Sequence, residues 1–545
     1  MSRAGDLAAG AAVPALRGPM PQHARWFAFA LLAGCALFVL LTFARHGISN
    51  DEEVQHVYGR LLLDFYASGF ADRSAFEYKN LYLYGGLFDL LAAALERIVP
   101  FNVWDLRHLI SALFGLAGLA GTWLLARRLA GEAAGALALL VLALTGAWSG
   151  AMFTHTKDVS FAATMVWALY FTTRILPELP RPRRAHLAGL GITLGCAFGL
   201  RVGAVFAVFY LALGVLAAAW LAGASPRERL ALVWRWGWTL LPAGLLAFAL
   251  MGLFWPWAVM SPGNLVRAMT AFSHFSFELH TIIDGVVMKN GDVPRHYLAS
   301  YLLVRLPELF LLGVGLALLA GLRHAPRLAE AGGRHAALRW LPVTLAAAVP
   351  LAYTLAAAPP LYNGIRHFTF VLPPLAVLAG AGFVAAWHEA GRLPRARLFA
   401  AACCAVLAAG HVAVLARLHP YEYVFYNGFA GGVRGAAERW EQDYWASSLR
   451  EAVEQLNAYV AAEGRPQARY TVAVCAEALQ AAVWLAPGLA VTRDWRQADF
   501  YLSPTHMGCG DVLQGRVIGA VRREGVPLAL VRDRRLLADD ERAPR

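Results

Sequence analysis

Ile48-Ser49-Asn50-Asp51-Glu52-Glu53 follows closely on an apolar run from Arg25 to Phe43, and Tyr78-Lys79-Asn80 comes before the next such run. Three adjacent carboxylates beside a segment able to enter a bilayer are costly, and charge in that setting is ordinarily kept for function. Val54, Val57, Tyr58, Leu61, Leu62 and Phe65 recur at i, i+3, i+4 and i+7, which predicts an amphipathic helix lying on the membrane surface, apolar face down. Ser49, with Glu52 three residues later, fits a capping box at its start. A plainer reading competes, because Asp and Glu in a first helical turn are favoured by the helix dipole alone.

Working outward, the composition fixes the class. Of 545 residues 59% are hydrophobic and only 15% charged, with a mean hydropathy of +0.50, which excludes an ordinary soluble protein. The net charge of +12 is no nucleic-acid footprint, since the arginines sit in short loops rather than on one basic face. Runs of about 20 apolar residues predict an α-helical polytopic membrane protein of about eleven spans. They fall at 26–43, 106–126, 134–152, 159–176, 187–201, 203–222, 238–258, 298–320, 340–357, 369–387 and 399–416. The first run is longer than a signal-peptide core and no small-residue cleavage site follows, so it is expected to stay as an anchor. Between 187 and 222 only Gly199-Leu200-Arg201-Val202-Gly203 interrupts the apolar stretch, and a turn at Arg201 near the surface avoids burying its charge.

The loops set the orientation. Arg127, Arg128, Arg174, Arg181, Arg183, Arg184, Arg227, Arg229 and Arg235 fall on one side, and Arg323, Arg327, Arg334, Arg339, Arg392, Arg395 and Arg397 join them. By the positive-inside rule that side is cytoplasmic. A cytoplasmic tail 1–25, a membrane domain 26–417 with outer loop 44–105, and an extracytoplasmic domain 418–545 are therefore expected in a plasma (inner) membrane protein. In the last region a helix at 443–463 and strand-like runs at Tyr470–Cys475, Ala498–Ser503 and Val526–Val531 predict a small α/β domain. Cys475 and Cys509 are the two cysteines on the oxidising side and are expected to pair.

The unusual polar residues gather on that outer face: Asp51, Glu52, Glu53, Lys79, Lys157, Asp158, Arg201, Arg366 and His367. Such a layout suits an enzyme drawing substrate from the outer leaflet, with a carboxylate to deprotonate an acceptor hydroxyl and cations to neutralise a phosphate leaving group. A transporter would instead place ionisable groups at the midplane on broken helices. Each residue also has a structural reading. Lys157-Asp158 can be a helix-start ion pair, Arg201 a snorkelling anchor, and Arg366 and His367 an interface marker. His56 reads as solvated, and Trp255-Pro256-Trp257 as an interfacial belt.

The acidic pair Asp51-Glu52 in the first outer loop resembles that of the polyprenyl-phosphate-dependent glycosyltransferases of the GT-C superfold. The nearest branch is that of the protein O-mannosyltransferases and the lipid A aminoarabinose transferase, in its bacterial members. Tyr78-Lys79-Asn80-Leu81-Tyr82 matches their Lys-Pro-Pro-Leu-Tyr-like segment without the two prolines. His155-Thr156-Lys157-Asp158, Tyr362 to Phe368, and the block from His419 through Glu422-Tyr423 to Asp443-Tyr444-Trp445 are similar to further blocks in that family. The resemblance implies an inverting transfer of a sugar from a polyprenyl-phosphate donor to a glycan, lipid or protein acceptor. Asp51 with Glu52 would be catalytic. Lys79 would contact the phosphate, and Tyr78, Tyr82, His155, Lys157, Asp158, Arg201, Arg366 and His367 would bind substrate. No cofactor is implied, although Asp51 with Asp158 could hold a divalent cation. The alternative is a flippase or transporter of lipid-linked sugars.

Overall fold

The computed structural model describes residues 21–273, 278–465 and 467–538. Helix α1 (Pro21–Thr42) enters first, and a loop carrying α2 (Glu52–Ala67) and α3 (Leu87–Leu95) leads to α4 (Val103–Ala130). Helices α5 (Glu132–Ala143), α6 (Gly146–Ser149), α7 (Ala151–Thr154), α8 (Thr156–Ile175), α9 (Arg184–Phe198), α10 (Val205–Ala222) and α11 (Pro226–Phe254) follow. A second loop holds α12 (Pro256–Met260), α13 (Asn264–Ser273) and the hairpin β1 (His280–Ile283) and β2 (Val286–Lys289). The membrane part closes with α14 (Tyr297–Arg305), α15 (Glu308–His324), α16 (Ala331–Ala357), α17 (Leu372–Glu389) and α18 (Pro394–Leu418). The protein is thus a helical multi-pass membrane protein. Among the described residues nine helices are long and apolar enough to cross a membrane, ten with the bent pair α5 and α6–α7.

Three expected spans are altered, each for a local reason. The run 187–201 is the 15-residue α9, which stops at Phe198 because Gly199 and the extended Arg201 (φ −150°, ψ 143°) turn the chain. The run 134–152 bends by 72° where Thr145 turns its hydroxyl back to the Val141 carbonyl at 2.7 Å. The run 298–320 breaks at Leu306-Pro307, since proline removes a donor and holds its predecessor extended. Asn427 caps that break, its amide donating to the carbonyls of Leu303 and Leu306 at 2.6 and 2.7 Å.

Helix α2 does not float on a lipid surface. Its stripe is covered by the chain itself: Tyr58, Leu62 and Phe65 are buried against Ala75, Leu81 and α3. Gly59 permits this approach, because a Cβ there would stand 2.3 Å from the Asp89 carbonyl oxygen. Gly85 does the same further on, its backbone touching Gly199, while Leu87 donates its N–H to the Gly199 carbonyl at 2.8 Å. The acidic loop is thereby fixed to the turn that carries Arg201.

After α18, α19 (Gly432–Ala436) and α20 (Leu449–Ala462) precede a five-stranded sheet. Its strands are β3 (Tyr470–Val474), β4 (Leu489–Val491), β5 (Phe500–Pro504), β6 (Arg516–Arg523) and β7 (Val526–Asp533), in the order β4-β3-β5-β7-β6. The first three are parallel and β7 runs antiparallel to β5 and β6. Helix α20 packs on this sheet over its own apolar core, with Leu449, Val453 and Leu456 buried against Val472, Leu502 and Val531. The short strand β4 and the polar strand β6 escaped sequence reading, as did the β1–β2 hairpin.

Cys475 and Cys509 form the expected disulfide across a sequence separation of 34. Closing a loop of that length is worth about 3–4 kcal/mol in the chain-entropy account. Thiol labelling of unfolded, unreduced protein should therefore find neither cysteine reactive, and labelling of both would show that the bond does not form.

Candidate active site

The three adjacent carboxylates go three ways, as successive helical residues about 100° apart must. Asp51 occupies the N-cap position of α2 without a side-chain capping bond and keeps its side chain 42% exposed. Glu52 is completely buried: its Oε2 accepts the Ser49 backbone N–H at 2.7 Å and lies 3.2 Å from His108 Nε2. This is half of the expected capping box, since the Ser49 hydroxyl makes no bond. Burial raises the Glu52 pKa, but His108, Arg107 and the Ser49 N–H outweigh it and hold the carboxyl below its usual value. Glu52, expected to be catalytic beside Asp51, has no open face in this structure. Glu53 is half-buried and makes none of these contacts.

Asp51 faces a charged cluster drawn from three distant loops. Arg366 Nη2 lies 3.1 Å from Asp51 Oδ2, and Arg366 Nε lies 3.7 Å from Asp158 Oδ2. Arg201 meets the other oxygen of Asp158. Two carboxylates and two guanidinium groups thus alternate, with Arg366 in the middle. The walls are aromatic: the Arg366 guanidinium sits 4.2 Å over Trp445 and 5.3 Å over Tyr362, and that of Arg201 5.9 Å from Tyr84. The Nε–H groups of Arg201 and Arg366 find no hydrogen-bond acceptor although both are buried. Buried donors are ordinarily satisfied, and these two stand open beside the ion cluster.

Lys157 and Asp158 are not a helix-start pair. Asp158 turns to the arginines, whereas Lys157 goes to the far side of the helix start, 3.0 Å from Asp89 Oδ2 and over the rings of Tyr58 and Tyr84. Asp89 in turn meets Arg107 at 3.2 Å, and Arg107 approaches Glu52 at 3.8 Å. Gln55 joins them, accepting from Arg107 and from the Thr156 hydroxyl. His56 is buried beside Trp104 and Glu96, not solvated; burial and then the Arg107 charge push it down to about 4.

His155 stands behind the cluster rather than in it. It is buried among Tyr423, Tyr444 and Trp445, with Nε2 2.6 Å from the Tyr444 hydroxyl. Asp443 accepts from the backbone N–H groups of Ser447 and Ser448 at 3.0 Å and from the Tyr423 hydroxyl, and this holds the turn presenting Trp445. His367 stacks edge-on against Tyr362 at 4.8 Å. Lys79 is exposed on the loop, at a left-handed φ of 50°, with its ammonium 5.9 Å from its neighbour Tyr78. Tyr82 packs on Trp257, and its carbonyl accepts from Trp255 Nε1 at 2.8 Å. Trp255 is therefore a buried brace, not part of an interfacial belt.

The region after α18 grips the acidic loop. Arg450 donates to the carbonyls of Ala44 and His46, Gln480 to those of Ile48 and Trp445, and Asn50 to that of Tyr444. Among the described residues no group of three or more His, Cys, Asp or Glu could hold a metal ion. Asp51 and Asp158 do not fit one together, since Arg366 occupies the position between them.

Residues 87–257 match the family model described as dolichyl-phosphate-mannose-protein mannosyltransferase. Among curated proteins none matches. Of solved structures, ArnT from Cupriavidus metallidurans bound to undecaprenyl phosphate is similar at 15% identity, with 92% of this chain and 97% of that chain covered and a TM-score of 0.48. The archaeal oligosaccharyltransferase AglB from Archaeoglobus fulgidus, in complex with an inhibitory peptide and a dolichol-phosphate, is similar at 12% identity, covering 88% and 69%, with a TM-score of 0.43. The matched segment runs from α3 through Lys157, Asp158 and Arg201 to Trp257, the part of the membrane region that carries those cluster residues.

Proposed function

We propose that the chain moves a sugar from a polyprenyl-phosphate donor to an acceptor hydroxyl at the outer face of the plasma membrane, with inversion. The observation that carries this reading is the pair of unsatisfied guanidinium N–H groups of Arg201 and Arg366 beside the half-open carboxylate of Asp51. In this reading Asp51 takes the acceptor proton. Arg201 and Arg366 bind the donor phosphate and stabilise the charge that grows on it as the glycosidic bond breaks. Asp158 orients both arginines. Lys79, on the exposed rim of the same loop, is the further cation offered to the phosphate, and Tyr84, Tyr362 and Trp445 shape the walls. No step is assigned to a metal ion.

The arginine asymmetry and the Cys475–Cys509 bond both support the outer placement of the acidic loop. A reporter active only outside the cytoplasm should work when fused after residue 80 or 440 and fail after 183 or 330; activity at 183 would overturn the orientation. Purified protein in detergent should consume polyprenyl-phosphate sugar and release the polyprenyl phosphate in the presence of acceptor. Movement of intact donor across vesicles without its consumption would instead establish a flippase.

A further inference from the structure

A cleft of about 380 Å³ opens between α2 and the segment leading into α4, on the side of α2 away from Asp51, lined by Arg60, Asp64, Glu96, Arg97, Phe101 and Val103. Its two ion pairs are unequal. Glu96 is held tightly, 2.8 Å from Arg60 Nε and 3.5 Å from His56 Nδ1, with its side chain 12% exposed. Arg97 and Asp64 stand 3.6 Å apart, beyond hydrogen-bond distance, and both are half-exposed. One pair is fixed and the other stands open.

The cleft also lies at a polar–apolar boundary. Exposed Ile98 and Phe101 immediately precede α4, a helix long and apolar enough to span, and Phe101 packs against Phe43 just past the end of α1. The polar lining is therefore level with the ends of two spanning helices, where lipid headgroups are found.

We propose that this cleft binds the phosphoethanolamine headgroup of a membrane phospholipid. The lining carries two guanidinium groups and two carboxylates, so a ligand of zero net charge with separated poles matches it. The phosphate lies between Arg97 and Arg60, which suit it through their fork of donors. The primary ammonium donates to Asp64, and the glycerol end rests on Phe101 and Val103. A purely anionic headgroup would set its charge against Asp64. A choline headgroup has no N–H to give that carboxylate. The site goes beyond the proposed sugar transfer and does not rest on it. Its physical consequence is that a bound lipid braces α2, whose N-cap residue is Asp51, through Glu96 and His56.

The test uses the purified full chain in detergent, titrated with mixed micelles of phosphatidylethanolamine, phosphatidylcholine or phosphatidylglycerol and read by native mass spectrometry. Occupancy by phosphatidylethanolamine should need about tenfold less lipid than the other two, the worth of one good charged contact. Asp64→Asn and Arg97→Gln should each remove about that tenfold preference. Equal occupancy by the three lipids on the parent protein overturns the proposal, whatever the variants do. An unchanged preference in both variants would also overturn it, because the lipid would then be held elsewhere.

Discussion

Asp51→Asn should lower turnover about 10²–10⁴-fold, the usual worth of a general base, with folding and donor binding nearly unchanged. The substitution keeps the size of the side chain and can still accept from Arg366, which lies 3.1 Å from Asp51 Oδ2, but it cannot take a proton. Glu53→Gln should be mild, since Glu53 makes none of the contacts that join the cluster. Glu52→Gln should act on stability first, because Glu52 is buried against His108 and Arg107 and faces no substrate. The measurement is sugar transfer by purified variants whose thermal melts match the parent. If Asp51→Asn turns over normally while a well-folded Glu52→Gln is inactive, the buried carboxylate would be the reacting one and the proposed site would be wrong. If all three variants keep near-normal turnover, the carboxylates serve only the start of α2.

The site's position was legible in the sequence, and its wiring was not. Charge beside apolar runs is costly wherever it occurs, so Asp51, Asp158, Arg201 and Arg366 stood out without any structure. Their alternation around Arg366 joins residues 315 apart in the chain, and no helical or strand period records such a pairing. Lys157 and Asp158 show the limit of local reading. Adjacent opposite charges suggested a pair, yet the helix start sends them to different partners, Asp89 and the two arginines. Asp89 and Arg107 escaped notice because each sits at the edge of an apolar segment, where a single charge reads as an interface marker. The α2 stripe was real, but its period says only that one face is apolar, not whether lipid or protein covers it. Likewise the breaks at Thr145 and Pro307 lie inside runs whose hydropathy is continuous, so length alone counted them as whole spans.

The second large effect is expected at Asp89, which has no part in the reaction. It is completely buried between Lys157 at 3.0 Å and Arg107 at 3.2 Å, and removing its charge leaves two buried cations with one fewer anion. Breaking a buried ion pair by deleting one partner costs about 3–5 kcal/mol, whereas removing both partners together often costs far less. Asp89→Asn should therefore lower the thermal midpoint in detergent sharply, with a matching loss of folded protein. Lys157→Met in the same chain should recover part of it, because the thioether fills the space over Tyr58 and Tyr84 without a charge. The Arg107–Glu52 contact remains in that double variant and keeps α2 attached to α4. A merely local packing role for Asp89 predicts the opposite pattern, in which the two substitutions add. An Asp89→Asn protein as stable as the parent, or a double variant less stable than either single one, would show that these charges are not mutually compensated and that α2 is held by its apolar face alone.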